Sequence, residues 1–193
     1  MKRLSAAVLA LCLLFTVFGC SGMSKKLDAG VFTVDMPGEP VKSTEQLPLN
    51  LLGIGLDGAL IVTALQSTDK DGAEYIALSV GWSDTLKQMQ ALEREAWSNE
   101  KFTQAVVKNI EELMMQDAHI QDQMQVNVNG QDAHVAGFVI TEELDLGQQR
   151  VTQGEYVTIL NDQYLVMVIY AAEQSVFSER DKNNFLYSVT INE

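Results

Sequence analysis

Two histidines and two cysteines are the side chains best suited to chemistry in this 193-residue chain: His119, His134, Cys12 and Cys20. His119 lies in Asp117-Ala118-His119-Ile120-Gln121-Asp122, where Asp117, His119 and Asp122 could offer oxygen and nitrogen ligands to a metal. A closed site would need a further histidine or cysteine, so a solvated histidine near a helix end is the plainer reading. His134 could act as a general base only with a partner within hydrogen-bond reach, and the sequence offers none. No Gly-x-Ser-x-Gly elbow and no Gly-rich phosphate loop occur, and Gly53-Ile54-Gly55 lacks a third glycine. Asp69-Lys70-Asp71-Gly72 is only a fragment of a calcium loop, and a hairpin turn explains it without metal. Met114, Met115 and Met124 read as core fillers rather than soft-metal ligands. We therefore expect no catalytic, cofactor or metal residues.

Cys20 is different, because its surroundings give its sulfur a task. Met1-Lys2-Arg3 is a basic head, Leu4 to Phe18 is an apolar run, and Gly19 and Cys20 follow. At about 1.5 Å per residue the run reaches only ~22 Å, short of a hydrocarbon core of ~30 Å. A processed signal fits better than a membrane-spanning helix. Val17-Phe18-Gly19-Cys20 resembles the lipobox of bacterial lipoproteins, with Phe18 where a small residue is commoner. The resemblance implies cleavage between Gly19 and Cys20 and lipid on the Cys20 sulfur, palmitate-type acylation included. A thiolate is the nucleophile that such a thioether requires. An ordinary secretory signal with a chance cysteine is the alternative. Ser21, by the same resemblance, favours the outer membrane with the domain facing the periplasm, if the cell has two membranes. Cys12 falls inside the removed segment, so no disulfide is expected.

Removal of residues 1–19 takes Lys2 and Arg3 and leaves 11 basic against 26 acidic side chains, a formal net charge of −15. Such a surface disfavours nucleic acid. Its plain consequence is solubility; its sharper one is a cationic partner. The remaining length suits one domain. We expect a signal over residues 1–19, a lipidated flexible tether over 20–30 and a domain over 31–193.

The elements must position whatever this domain presents. Phe32 to Met36 alternates apolar and polar, the pattern of a half-buried strand, and Pro37 to Pro40 ends it. Val41 to Gln46 reads as a polar edge strand. Ala59 to Gln66 and Glu74 to Gly81 form a hairpin across Ser67 to Gly72. A helix is expected after Ser83 or Asp84, with Leu86, Met89, Leu92 and Ala96 at helical spacing. A second follows Asn99, where Phe102, Ala105, Val106, Ile110, Leu113 and Met114 make one apolar stripe. Asn129-Gly130 marks a two-residue hairpin turn. It pairs Val128 with Gln131, Val126 with Ala133 and Gln125 with His134. That register puts His134 on the face opposite Val126 and Val128, so we expect it exposed. Strands near 133–142, Arg150 to Leu160 and Gln163 to Ala171 follow, with a weaker turn at Asn161-Asp162. Ser178-Glu179-Arg180-Asp181 reads as a capping box, and Val189 to Asn192 as a last strand. The fold class is α+β: an antiparallel β-sheet flanked by helices in a single domain. The expected core includes Phe32, Val34, Leu78, Val80, Val106, Ile110, Val166 and Val168.

This order of elements, with Phe32 to Pro40 at its start and Phe185-Leu186-Tyr187-Ser188-Val189-Thr190-Ile191 at its end, resembles the PsbP-like fold of PsbP and DcrB-type bacterial lipoproteins. The resemblance covers roughly Gly30 to Glu193. It implies a PsbP-like sandwich and a non-catalytic accessory or binding role. The expected function is that of a protein-binding module in the periplasm, held to the membrane through lipidated Cys20, with an envelope protein as partner. A small-ligand or divalent-cation binder is the alternative, and a hydrolase with an unrecognised site a third.

Overall fold

The computed structural model describes residues 24–52, 58–82, 99–115, 117–144, 148–160 and 163–192. They form one α+β domain: a seven-stranded antiparallel sheet, a small three-stranded sheet and two helices among the described residues. The strands are β1 (Lys25–Asp28), β2 (Phe32–Met36), β3 (Val41–Pro48), β4 (Ala59–Thr68) and β5 (Glu74–Gly81). Then come α1 (Asn99–Met114), β6 (His119–Val128), β7 (Gln131–Glu143), β8 (Gln149–Leu160), β9 (Tyr164–Glu173), α2 (Glu179–Leu186) and β10 (Thr190–Ile191). The large sheet has the order β3-β4-β5-β9-β8-β7-β6, and the small one β1-β2-β10. The helix expected between Ser83 and Ala96 and the turn at Asn161-Asp162 lie outside the described residues.

Both faces of the large sheet are covered, and the alternation of its strands divides the core in two. Tyr75, Ala77, Val157, Ile159, Val166, Val168 and Tyr170 point to the face shared with Phe32, Val34 and Met36 of the small sheet and Phe185 and Leu186 of α2. Ile76, Leu78, Val80, Tyr156, Leu165, Met167 and Ile169 point to the other face, where they meet Phe102, Val106 and Ile110 of α1. The central strands therefore read as nearly continuous apolar runs, because each of their residues is buried on one side or the other. All eight expected core residues are buried. The apolar stripe of α1 faces the sheet as its 3.6-residue spacing requires.

Local signals set the ends of several elements. Asn129 and Gly130 take positive φ (49° and 89°), and the strands pair in the register that this turn implies. Asn129 does more than turn the chain. Its side-chain amide donates to the carbonyls of Tyr187 (2.9 Å) and Val189 (2.8 Å), tying the hairpin to the segment before β10. Replacing Asn129 with glycine keeps the backbone freedom and removes both bonds. Asn129→Gly should cost roughly 1–3 kcal/mol in chemical denaturation, about the value of two net hydrogen bonds.

The capping box at Ser178 is half realised. The Ser178 hydroxyl accepts from the Asp181 amide (3.2 Å), but the Ser178 amide donates to the Tyr170 hydroxyl (3.1 Å). A buried sheet residue thus takes the place of the reciprocal side chain. Tyr170 also stacks edge-on with Tyr75 at 5.2 Å and Phe177 at 5.5 Å, so α2 starts on an aromatic cluster. Lys182 on α2 is buried. It bonds Glu155 of β8 (3.0 Å) and Glu179 (2.8 Å), which offset the cost of burying its charge.

One expectation is corrected at the start of the domain. The sequence predicts a flexible tether over residues 20–30, yet Lys25–Asp28 form β1 and pair with β2. Lys25 and Lys26 are exposed, as suits an edge strand. Leu27 packs on the core instead, and Asp28 accepts hydrogen bonds from the Gly30 amide (2.7 Å) and the Asn192 side chain (3.2 Å).

Candidate functional site

Cys20 and Gly19, the expected lipid-attachment and cleavage residues, lie outside the described residues. What the fold supplies is the place where the chain leaves the domain. Lys25 pairs with Met36, so that point lies beside the end of β2.

His119 opens β6, pairs with Val139 and is exposed. It belongs to a strand, because α1 ends at Met114 and the chain has turned before Ala118. Asp117 is exposed too, and Asp122 sits at a bulge with φ of 46°. Among the described residues no group of three or more His, Cys, Asp or Glu side chains is placed to hold a metal ion. The Asp69 segment is a hairpin turn. Asp69 Oδ1 accepts from the amides of Asp71 (2.9 Å) and Ala73 (3.0 Å), and Oδ2 accepts from the Tyr75 hydroxyl (3.0 Å). These bonds occupy the carboxylate in organising the turn. The methionines divide: Met115 packs on the core, whereas Met124 on the edge strand is exposed. The side chain of Met114 lies outside the described residues.

His134 departs from expectation. It is half-buried, not exposed, and its ring meets Tyr156 edge-on at 6.3 Å. The register and the face are as expected, opposite Val126 and Val128; what differs is the cover on that face. Asn127 and Asp132, nearest the turn, are exposed as polar residues should be. Farther along the same face α1 covers the sheet, and His134 sits at that margin. Glu111 of α1 belongs to the same group. Its burial raises its pKa above the ordinary value, and the nearby His134 opposes that rise. Burial, with Glu111 adding to it, pushes the Tyr156 phenol up to about 12. The three residues come from α1, β7 and β8, which sequence spacing alone could not bring together.

Glu111 can respond to pH. A carboxylate with a raised folded pKa binds its proton more tightly in the folded state, so it costs stability once pH exceeds that pKa. The cost disappears as pH falls below the unfolded value. Glu111→Gln should therefore melt above the wild type at neutral pH. The gap should close on acidification through the folded pKa of Glu111 towards the ordinary value of 4.5. Paired thermal melts across that range test it.

An open cleft of about 520 Å³ lies at one end of the large sheet, lined by Leu144, Arg150, Val151, Glu173, Gln174 and Ser175 among others. Arg150 is committed within it: Nε donates to Glu142 Oε2 at 2.7 Å, and a guanidinium nitrogen contacts the same oxygen. Those bonds raise the pKa of Arg150, with Glu173 and Glu74 adding to the effect. Glu74 is itself raised by burial, and Arg150 opposes this. No sequence signal marked this cleft, because its walls come from separate places: the residue after β7, the start of β8 and the end of β9 with the two residues that follow it. No protein-family model matches the chain, and no curated protein matches it either.

Proposed function

We propose that the chain is a non-catalytic lipoprotein of the bacterial cell envelope, anchored through lipid on Cys20, that serves as a protein-binding accessory module in the periplasm. One observation carries this reading: the basic head, the apolar run from Leu4 to Phe18 and Gly19-Cys20 stand in that order before a folded domain. The double-sided coverage of the antiparallel sheet supports the PsbP-like resemblance, and with it an accessory role. Ser21 favours the outer membrane.

Crosslinking in intact cells, followed by capture of the membrane-held protein, tests the role. A partner recovered reproducibly from the envelope is expected. A blank result across growth conditions would remove the binding role and leave only the anchor. A small-ligand reading draws on the cleft around Arg150. Calorimetry with calcium, manganese and zinc tests its cation form, and heats no larger than dilution would dismiss it.

A further inference from the structure

We propose that the anchored domain stands on the lipid surface with one particular end of its large sheet, the end formed by the Asp69–Gly72 and Glu173–Ser175 turns, and holds the Asn129–Gly130 end away from it. This rests on the anchor reading above; the fold supplies the direction. The chain leaves the domain at Lys25, opposite Met36. The segment after Met36 runs past the end of β4, since a Cβ built on Gly38 would lie 3.9 Å from the Thr68 carbonyl oxygen. Thr68 pairs with Glu74 and Glu74 with Ala171, while Glu173 pairs with Thr152 and Glu143 with Gln149. These pairings place the Asp69–Gly72 turn, the end of β9, the start of β8 and the end of β7 at one end of the sheet. The cleft lined by Leu144, Arg150 and Glu173 is there too.

Length then limits the choice. Because β1 belongs to the sheet, only five residue steps separate Cys20 from Lys25. Fully extended they reach at most about 18 Å. Thr68 is level with Phe138 through Glu74, Ala171 and Gly154, and the stretch of β7 from Gln131 to Phe138 spans roughly 23 Å. The Asn129–Gly130 end is therefore the far one.

The cleaved chain has no cysteine besides Cys20, so single labels are clean. Lys70→Cys, Gln174→Cys and Gln131→Cys each place a nitroxide at an exposed position. The lipidated protein is reconstituted in vesicles carrying nickel-chelating headgroups. Relaxation of the label should be several-fold stronger at 70 and 174 than at 131. A long Gly/Ser insert after Gly22 should level the three. Equal relaxation without the insert, or the strongest at 131, overturns the orientation. A contrast that survives the insert overturns the tether as its cause. Protein that fails to float with the vesicles, its Cys20 unmodified by mass, overturns the anchor itself and is a separate result.

Discussion

If the proposed anchor holds, replacing Cys20 with alanine should strip the protein of its acyl mass and, behind an ordinary cleavable leader, of stable membrane attachment. In the proposed anchor the thiolate is the nucleophile for the lipid, and alanine offers none. One acyl chain gives a partition constant of only about 10⁴ M⁻¹, whereas two or more hold a protein effectively for good. Loss of the whole set is therefore an all-or-none change in fractionation. Cys20→Ala alone would retain residues 1–19, so the intact mass should rise by the uncleaved segment and fall by the lipid. Placed behind an ordinary cleavable leader, the same variant should be released into the soluble fraction. Its thermal midpoint should match that of the lipidated protein in detergent, because the described fold begins only at β1. A wild-type protein found full-length, unmodified and soluble would overturn the anchor, and the envelope role with it.

The second large effect is expected at Gly154. This residue lies on β8 opposite Phe138 of β7. A Cβ there would fall 2.2 Å from the Tyr170 carbonyl oxygen and 2.4 Å from Phe138 Cζ. The first obstacle is backbone of the neighbouring strand, and the second is a ring that is itself buried. Neither can swing aside without opening the centre of the sheet. Gly154→Ala should thus cost about 3 kcal/mol or more, the upper range for overpacking. For a domain of this size that is a fall of roughly 6–12 °C in melting temperature. Gly137 is the control. It lies one position from Phe138 in the same sheet, yet a Cβ there meets nothing closer than 3.7 Å. Gly137→Ala should stay near the wild type. Equal melting of the two variants would show that the Phe138 ring does not rest on Gly154.

The polar groups at the sheet margins follow a common rule. Lys182, Glu111 and Glu74 are each partly or wholly withdrawn from water. Lys182 is compensated by two carboxylates. Glu111 and Glu74 each have one opposing charge nearby and keep raised pKa values. Acidification through the raised pKa values of Glu111 and Glu74 should thus relieve part of the domain's electrostatic cost.

The amino-acid sequence by itself determined what depends on neighbours along the chain. Period-two alternation marked β2, helical spacing marked the buried stripe of α1, and Asn129-Gly130 fixed the register of β6 against β7. The same one-dimensional order carries the expectation about Cys20. Tertiary structure alone decided what depends on residues far apart. It set β9 beside β5, from strands separated by α1 and three further strands. It laid α1 over the face that holds His134, so a residue read as wet became half-buried. It drew Lys25–Asp28 into the small sheet through pairing with β2, which no local pattern announced. It also made Gly154 indispensable, through a ring 16 positions earlier in the chain. The physical reason is one of range. Backbone preference and hydrophobic period act over a few residues, whereas strand order and face coverage follow from which surfaces exclude water together.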